Sequence, residues 1–379
     1  MNSIAWQRPS SPESGVVVCI PVSNQADRIL ACLDALADQD FDQPFEVLLL
    51  VHNCTDGTAA LARAFFPPPL MTVHIEERWF PQHLANPGHA RHVAMKEARQ
   101  IAGASGVMLG TDADAVVPLD WVRRNVELLA AGADAVAGRT VIDHVDLEPA
   151  TPRMRDEALQ VQHLERLLDV IDSMADPAAH DPSPRHAEHS GASTAVTAAA
   201  FDAAGGIPLI PVGEDRAFFA ALRRTDARIR HAPDIVVAVS GRRAGRVTPD
   251  GLLDDSLEPA EDRFFRATLR ADLRLLRQQA KDGVVNLPEL RRVAGLLELP
   301  AAILQRLLAC DTFGSLWQAL EAHRPVLRHR HVRAASLRAE INAAGRILER
   351  GCATPAGRTG QDTAAIASHR APFGMVAAE

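Results

Sequence analysis

Two pairs of acids mark where this chain could do chemistry. Asp112 and Asp114 stand one residue apart in TDAD (111–114), directly after the apolar run GVMLG (106–110). Glu214 and Asp215 are adjacent in PVGEDRAFF (211–219). On an extended backbone alternate side chains share a face, so the first pair would present two carboxylates together. Like charges that close repel, and a divalent cation relieves the repulsion. Mg²⁺ or Mn²⁺ prefers carboxylate and phosphate oxygens and often takes only one or two protein carboxylates. The pair therefore suits a metal–diphosphate site; the plainer reading is a solvated turn, where Asp is common. The second pair opens a helical stretch with Phe218, Phe219 and Leu222 on its inner side. A carboxylate there can serve as general base toward a hydroxyl, or simply be a first-turn acid favoured by the helix dipole. In NPGHARH (86–92), Arg91 lies at a helix start. Arginine and helix-start amides both favour phosphate; a surface ion pair is the alternative.

These groups need elements to hold them. Short β-branched or apolar runs at 16–21, 45–51, 71–75, 106–110 and 133–142 predict strands. Helical spacing predicts helices over 25–37, 55–66, 87–102 and 118–132. Alternating strands and helices predict a mostly parallel, doubly wound α/β sheet. Ligands of such sheets bind beyond the carboxyl ends of the strands. Asn24 follows the first strand, His52 and Asn53 end the second, and the TDAD acids follow the fourth.

A helix is expected over 153–175, then a Pro- and His-rich loop to about 190, order again over 191–206 and 212–225, and a strand near 227–243. His180, His186 and His189 in the loop fit no standard zinc spacing and have no cysteine beside them. Acceptor contact or plain loop polarity is the better account of them. From 257 to about 350 the pattern is helical, and 351–379 lacks periodicity. The expected organisation is a flexible 1–14, an α/β unit over 15–250, a helical region over 251–350 and a disordered 351–379.

The order PVSN, NCTDGT, GHARH, TDAD, GAS and GED resembles the family 2 glycosyltransferases of the GT-A fold, over roughly 15–245. That resemblance implies a nucleotide-sugar donor (UDP- or GDP-sugar), an acceptor hydroxyl, Mg²⁺ or Mn²⁺, and an inverting reaction. It implies that Pro21, Ser23 and Asn24 line the nucleotide pocket, with His52 and Asn53 beside the base and Arg91 near the nucleotide. Asp112 would meet ribose or metal, and Asp114 would ligate the metal. Gly191 and Ala192 would line the sugar pocket, Asp215 would be the catalytic base, and Glu214 would touch acceptor or sugar. Three positions depart from the family pattern. His52 stands where an acid is usual, His92 replaces an Asn, and Ser240 stands near an expected His ligand. Arg242, Arg243 and Arg246 follow Ser240 as candidate diphosphate contacts.

Composition sets the remaining bounds. With 40 basic against 48 acidic residues the net charge is −8, which implies no nucleic-acid partner. Five cysteines at 19, 32, 54, 310 and 352 form no C-x-x-C pair, so a reduced, cytoplasmic setting is expected. No signal peptide and no membrane span is expected. The Arg-rich helices after residue 320 admit contact with an anionic membrane, or with a second copy in a homodimer; a solvated face is the plainer reading. Two rival functions stand beside this one. A nucleotidyltransferase would carry a glycine-rich loop after the first strand, where VSNQAD has none. A non-catalytic sugar-nucleotide-binding or scaffold module is suggested by the three departures and opposed by the intact acids at 112, 114 and 215.

Overall fold

The structure, a computed structural model, describes residues 15–143, 152–240 and 257–352. In chain order the elements are β1 (Val16–Val22), α1 (Ile29–Ala37), β2 (Phe45–His52), α2 (Thr58–Ala64), β3 (Met71–Arg78), α3 (Pro87–Ala102), β4 (Val107–Gly110), β5 (Ala115–Val116), α4 (Trp121–Ala130), β6 (Ala135–Asp143), α5 (Pro152–Ala175), β7 (Thr194–Thr197), α6 (Ala198–Ala204), α7 (Glu214–Arg224) and β8 (Ile229–Ser240). Helices α8 (Ala260–Lys281), α9 (Leu287–Leu296), α10 (Ala301–Leu307), α11 (Phe313–His323) and α12 (Leu337–Cys352) follow. The expectations for 1–14, for Arg242, Arg243 and Arg246, and for residues after 352 lie outside the described residues.

The chain divides into two compact units, one of residues 1–149 and 185–249, the other of 150–184 and 250–379. These are not the contiguous blocks 15–250 and 251–350 that were expected. Helix α5 interrupts the first unit in sequence but belongs to the second. Its Leu164, Leu168 and Ile171 share a core with Leu257, Ala260, Leu337, Ala344 and Ile347. Its Asp172 pairs with Arg263 and Arg270, and Asp176 pairs with Arg270 and Arg274. Neighbouring sequence carries no trace of partners about a hundred positions away.

In the first unit eight strands form one sheet in the order β3-β2-β1-β4-β7-β6-β8-β5. Strands β3, β2, β1 and β4 run parallel, and β6 with β8 is parallel. β7 is antiparallel to both β4 and β6, and β5 is antiparallel to β8. The α/β class expected for the GT-A fold is the one observed. Both faces are covered, so strand residues alternate between two cores. Val18, Ile20 and Val22 of β1 pack with Ile29, Leu33 and Leu36 of α1. Val17 and Cys19 pack on the other face with Ala90, Ala94, Met95 and Ala98 of α3. The small alanines bring α3 close under β1 and β4. β1 lies between β2 and β4, the point where strand order reverses and a crevice opens.

Burial pushes the Cys19 and Cys32 thiols up to about 12, so both behave as small apolar core groups. The second unit has its own core around Phe265, Leu269, Leu273 and Leu276 of α8. Arg266 and Arg270 lie over the Trp317 ring at 5.7 and 5.5 Å. Arg330, one of the arginines in the basic C-terminal pattern, is paired bidentately with the buried Asp262 at 2.6 Å. Among the described residues no helix is long and apolar enough to cross a membrane.

Candidate active site

The loops after β1 and β2 are stitched to each other. Asn24 and Asn53 have φ of 51° and 48°, a left-handed region that Asn tolerates better than most residues. Asn24 Oδ1 accepts the Thr55 N–H at 2.8 Å, and its own N–H donates to Cys54 Sγ at 3.2 Å. Thr58 Oγ1 accepts the Gln25 N–H at 2.8 Å, and Asp56 Oδ2 accepts the Ala26 N–H at 3.1 Å. Pro21 sits within β1 opposite Leu50, and Ser23 follows the strand half-buried. These contacts hold Asn24 and the two residues after it against the loop that follows β2.

His52 and Asn53 behave differently from one another. Asn53 spends its amide on the backbone of Phe80, donating to its oxygen at 2.8 Å and accepting its N–H at 3.0 Å. It fastens β2 to the chain after β3. His52 is buried with its ring 5.4 Å from Phe80, and its Nδ1 has no hydrogen-bond partner. Burial outweighs the Asn53 contact and lowers its pKa, so the ring is neutral near pH 7. A cavity of about 240 Å³ opens beside these loops, lined by Asn53, Cys54, Asp56, Arg78 and the exposed Trp79 among others. Trp79 lay in no motif, and nothing in its local sequence marked it.

Arg91 is the centre of the site. It is not the surface ion pair that the sequence also allows: the residue is 8% exposed. Its guanidinium donates to Asp112 Oδ1 at 2.5 Å, to Glu214 Oε1 at 3.0 Å and to the Gly191 carbonyl at 3.1 Å. Burial opposes the charge, but Asp112 and Glu214 outweigh it and hold the pKa above the ordinary arginine value. One planar fork thus joins three segments far apart in sequence, which a lysine ammonium could not do with the same geometry.

The helix start explains how. Asn86 caps α3 by accepting the His89 N–H at 2.9 Å, with Pro87 in the first turn. Gly88, Arg91 and His92 share one face by their three- and four-residue spacing. A Cβ on Gly88 would fall 1.8 Å from the Ile210 oxygen, so glycine is what permits the 207–213 segment to lie on the helix. His92 Nδ1 donates to the Ile207 carbonyl at 2.6 Å. His92 is therefore an anchor for the segment that delivers Glu214 to Arg91, a role its replacement of an Asn did not disclose.

TDAD forms a turn. Ala115 N–H donates to the Asp112 carbonyl at 3.1 Å, so the two acids do not extend from a flat strand. Asp112 is held by Arg91, and Asp114 lies half-buried in the same turn. No cluster of three His, Cys, Asp or Glu suited to a metal occurs among the described residues. Two carboxylates with hard oxygens still fit an ion that completes its shell with phosphate and water, as Mg²⁺-type ions do. Ser240 ends β8 and is buried.

Asp215 lies next to this cluster. Its Oδ2 accepts the Gly191 N–H at 3.2 Å and its Oδ1 accepts the Arg216 N–H at 2.7 Å. Glu214 is buried against Arg91 and acts as its counterion. Gly191 carries both a carbonyl for Arg91 and an N–H for Asp215. A Cβ there would meet Arg91 Cζ at 2.4 Å. Gly191→Ala is expected to lower turnover by about 100-fold, the scale of a misplaced reacting group, with folding retained; steady-state kinetics and a melting curve check both. Ala192 is buried, and its carbonyl accepts the Thr111 hydroxyl at 2.9 Å, which ties the GAS turn to TDAD. Trp121 is fully buried, and its indole N–H donates to Ser193 Oγ at 3.2 Å.

Residues 17–176 match the model of Glycosyl transferase family 2. Over that span the chain is similar to the family 2 glycosyltransferases. The matched span holds Asn24, Arg91, Asp112 and Asp114 and ends before Gly191, Glu214 and Asp215. No curated protein matches the sequence. Among solved structures the chain is similar to S. aureus TarS (residues 1–349, in complex with UDP) at 16% identity, covering 89% of this chain and 90% of that one, with a TM-score of 0.44. It is also similar to a mannosyltransferase from Pyrobaculum calidifontis in complex with GDP-Man and Mn²⁺, at 19% identity, 96% and 88% coverage and a TM-score of 0.41. A third is glucosyl-3-phosphoglycerate synthase from Mycobacterium tuberculosis in complex with Mn²⁺, UDP-glucose and phosphoglyceric acid, at 17% identity, 70% and 85% coverage and a TM-score of 0.36. At that distance the likeness lends nothing to any residue role; those rest on the contacts above.

Proposed function

We propose that this glycosyltransferase domain moves a sugar from a nucleoside-diphosphate sugar to an acceptor hydroxyl, with inversion and with the help of Mg²⁺ or Mn²⁺. The observation that carries the reading is the buried Arg91, which gathers Asp112, Gly191 and Glu214 around one point beside Asp215. Asp215, oriented by the Gly191 and Arg216 N–H groups, accepts the proton of the acceptor hydroxyl. The freed oxygen attacks the anomeric carbon on the face opposite the diphosphate, so configuration inverts. Asp112, set by Arg91, contacts the ribose or stands behind the metal site. Asp114 would be the principal protein ligand of a divalent ion, which when bound would offset the charge that grows on the departing diphosphate. Pro21, Ser23, Asn24 and the neutral His52 form the nucleoside pocket, and the buried free thiols of Cys19 and Cys32 suit a reduced cytoplasmic setting.

Calorimetry with UDP and with GDP, each with and without Mn²⁺, tests this. One nucleotide is expected to bind with Mn²⁺ and to lose at least tenfold in affinity, about 1.4 kcal/mol, without it. Asp114→Ala should remove the Mn²⁺ dependence. Absence of metal-dependent binding by either nucleotide would sink the reading. Binding without any donor hydrolysis or transfer, across a panel of UDP- and GDP-sugars, would favour a binding module.

A further inference from the structure

The loop that delivers Gly191 begins with a histidine cluster that the reaction above does not use. His189 is stacked on Phe219 of α7 with ring centres 4.6 Å apart. Its Nε2 lies 3.1 Å from Arg223 NH1 and 3.1 Å from His231 Nε2. A guanidinium only donates, so His189 Nε2 is the acceptor, the ring is neutral, and His231 donates as well. His186 is saturated differently: its Nε2–H donates to the Ala137 carbonyl at 3.0 Å and its Nδ1 accepts the Glu188 N–H at 3.1 Å. That arrangement leaves no ligand set for zinc and explains the absence of a metal cluster among the described residues. Two residues past His189, Gly191 donates to Asp215 and accepts from Arg91. Between them Ser190 closes a turn by accepting the Ser193 N–H at 3.2 Å and the Thr194 hydroxyl at 2.9 Å.

We propose that His189 is a positioning residue: as a neutral acceptor for Arg223 and His231 it pins the 190–193 turn, and its protonation releases Gly191 from Asp215 and Arg91. The groups that face it are cationic or neutral. Arg216 and Arg223 come from α7, His231 from β8 and His186 from its own loop. The nearby acids are committed elsewhere: Glu188 to Arg139 and the Thr140 N–H, and Asp215 to Gly191 and Arg216. Burial, then Arg223, His231, His186 and Arg216, hold the His189 pKa well below the ordinary histidine value. The folded pKa is thus depressed. Its contribution to stability is complete above the unfolded value near 6.5 and is lost as pH falls toward the folded pKa. Protonation also turns Nε2 into a donor, which ends the hydrogen bond from Arg223, a group that can only donate, and sets two cations against each other.

The inference builds on the transferase reading through Asp215, so the test has a readout that does not need turnover. Amide exchange of 190–193, corrected for intrinsic rates, and pH–rate profiles are measured for the full-length protein and for two variants. His189→Phe keeps the stack on Phe219 and removes the acceptor; His189→Gln places a non-titrating acceptor where Nε2 lies. Wild type is expected to keep protection of 190–193 through the ordinary histidine range and to lose it at least tenfold only as pH is lowered below that range, with kcat falling in parallel and donor KM changing less than threefold. His189→Phe should show that loss already at pH 7.5. His189→Gln should restore most of what His189→Phe loses and should flatten the acid fall. An acid fall in His189→Gln identical to wild type, or protection of 190–193 unchanged in His189→Phe, overturns the proposal. If the transferase reading itself is wrong, wild type shows no turnover at any pH while the exchange arm still decides the role of His189.

Discussion

Asp215→Asn is expected to cut kcat by about 10²–10⁴, the usual contribution of a positioned general base, while UDP or GDP affinity stays within about threefold. The substitution is nearly isosteric. It keeps an oxygen for one of the two backbone N–H groups, from Gly191 and Arg216, that now hold the carboxylate. What it removes is the capacity to take a proton. Steady-state kinetics with isothermal titration separates the two effects. Retained turnover would move the base to another group. A large loss of nucleotide binding would mean that Asp215 serves the donor.

Arg91→Met is expected to be the most destabilising single change in the site. Glu214 is buried and its carboxylate would lose its counterion. Breaking a buried pair from one side costs about 3–5 kcal/mol, because the remaining charge is uncompensated. For a unit of this size that lowers the melting temperature by roughly 10 °C. Asp112 adds less, since its side chain is 35% exposed and water can take over. The cause can be isolated by a double change. Arg91→Met with Glu214→Gln should recover part of the lost stability, because it removes the orphaned charge, yet it should not recover turnover. If the double variant is less stable than Arg91→Met alone, the cost lies in lost packing and not in the buried carboxylate. Arg91→Lys should recover little of either property: a single ammonium cannot bond Asp112, Glu214 and the Gly191 carbonyl from one plane.

The parallel half of the sheet was legible because each of its strands is a compact apolar run that reads the same from either face. VVVCIPV and FEVLLLVH are buried on both sides and bounded by turn residues. β7 and β5 were not legible. TAVT is four residues in an alanine-rich stretch, and AV is two residues in the tail of the TDAD turn. Each becomes a strand only because a neighbour with free backbone groups lies alongside it. Helix α5 was visible as a helix, but its membership in the second unit rests on salt bridges to α8 and a shared core that local pattern does not encode.

By itself, the sequence determined which side chains were available for chemistry and the order in which they arise: Asn24, Arg91, Asp112, Asp114, Gly191, Glu214, Asp215. Residue type, strand-end position and spacing are local properties, and local properties survive in one dimension. Tertiary structure alone decided how those residues divide the work. Arg91 reads as a phosphate contact or a surface charge until burial leaves it between two carboxylates and a carbonyl. Glu214 reads as a substrate contact, and the fold adds that it is that arginine's counterion. Asn53 reads as part of the nucleotide pocket, and the fold adds that its amide fastens the Phe80 backbone while the residue lines the cavity there. In each case the deciding quantity is a hydrogen-bond partner more than twenty positions away in sequence. A buried polar group must find its partner, and only the folded chain shows which one it took.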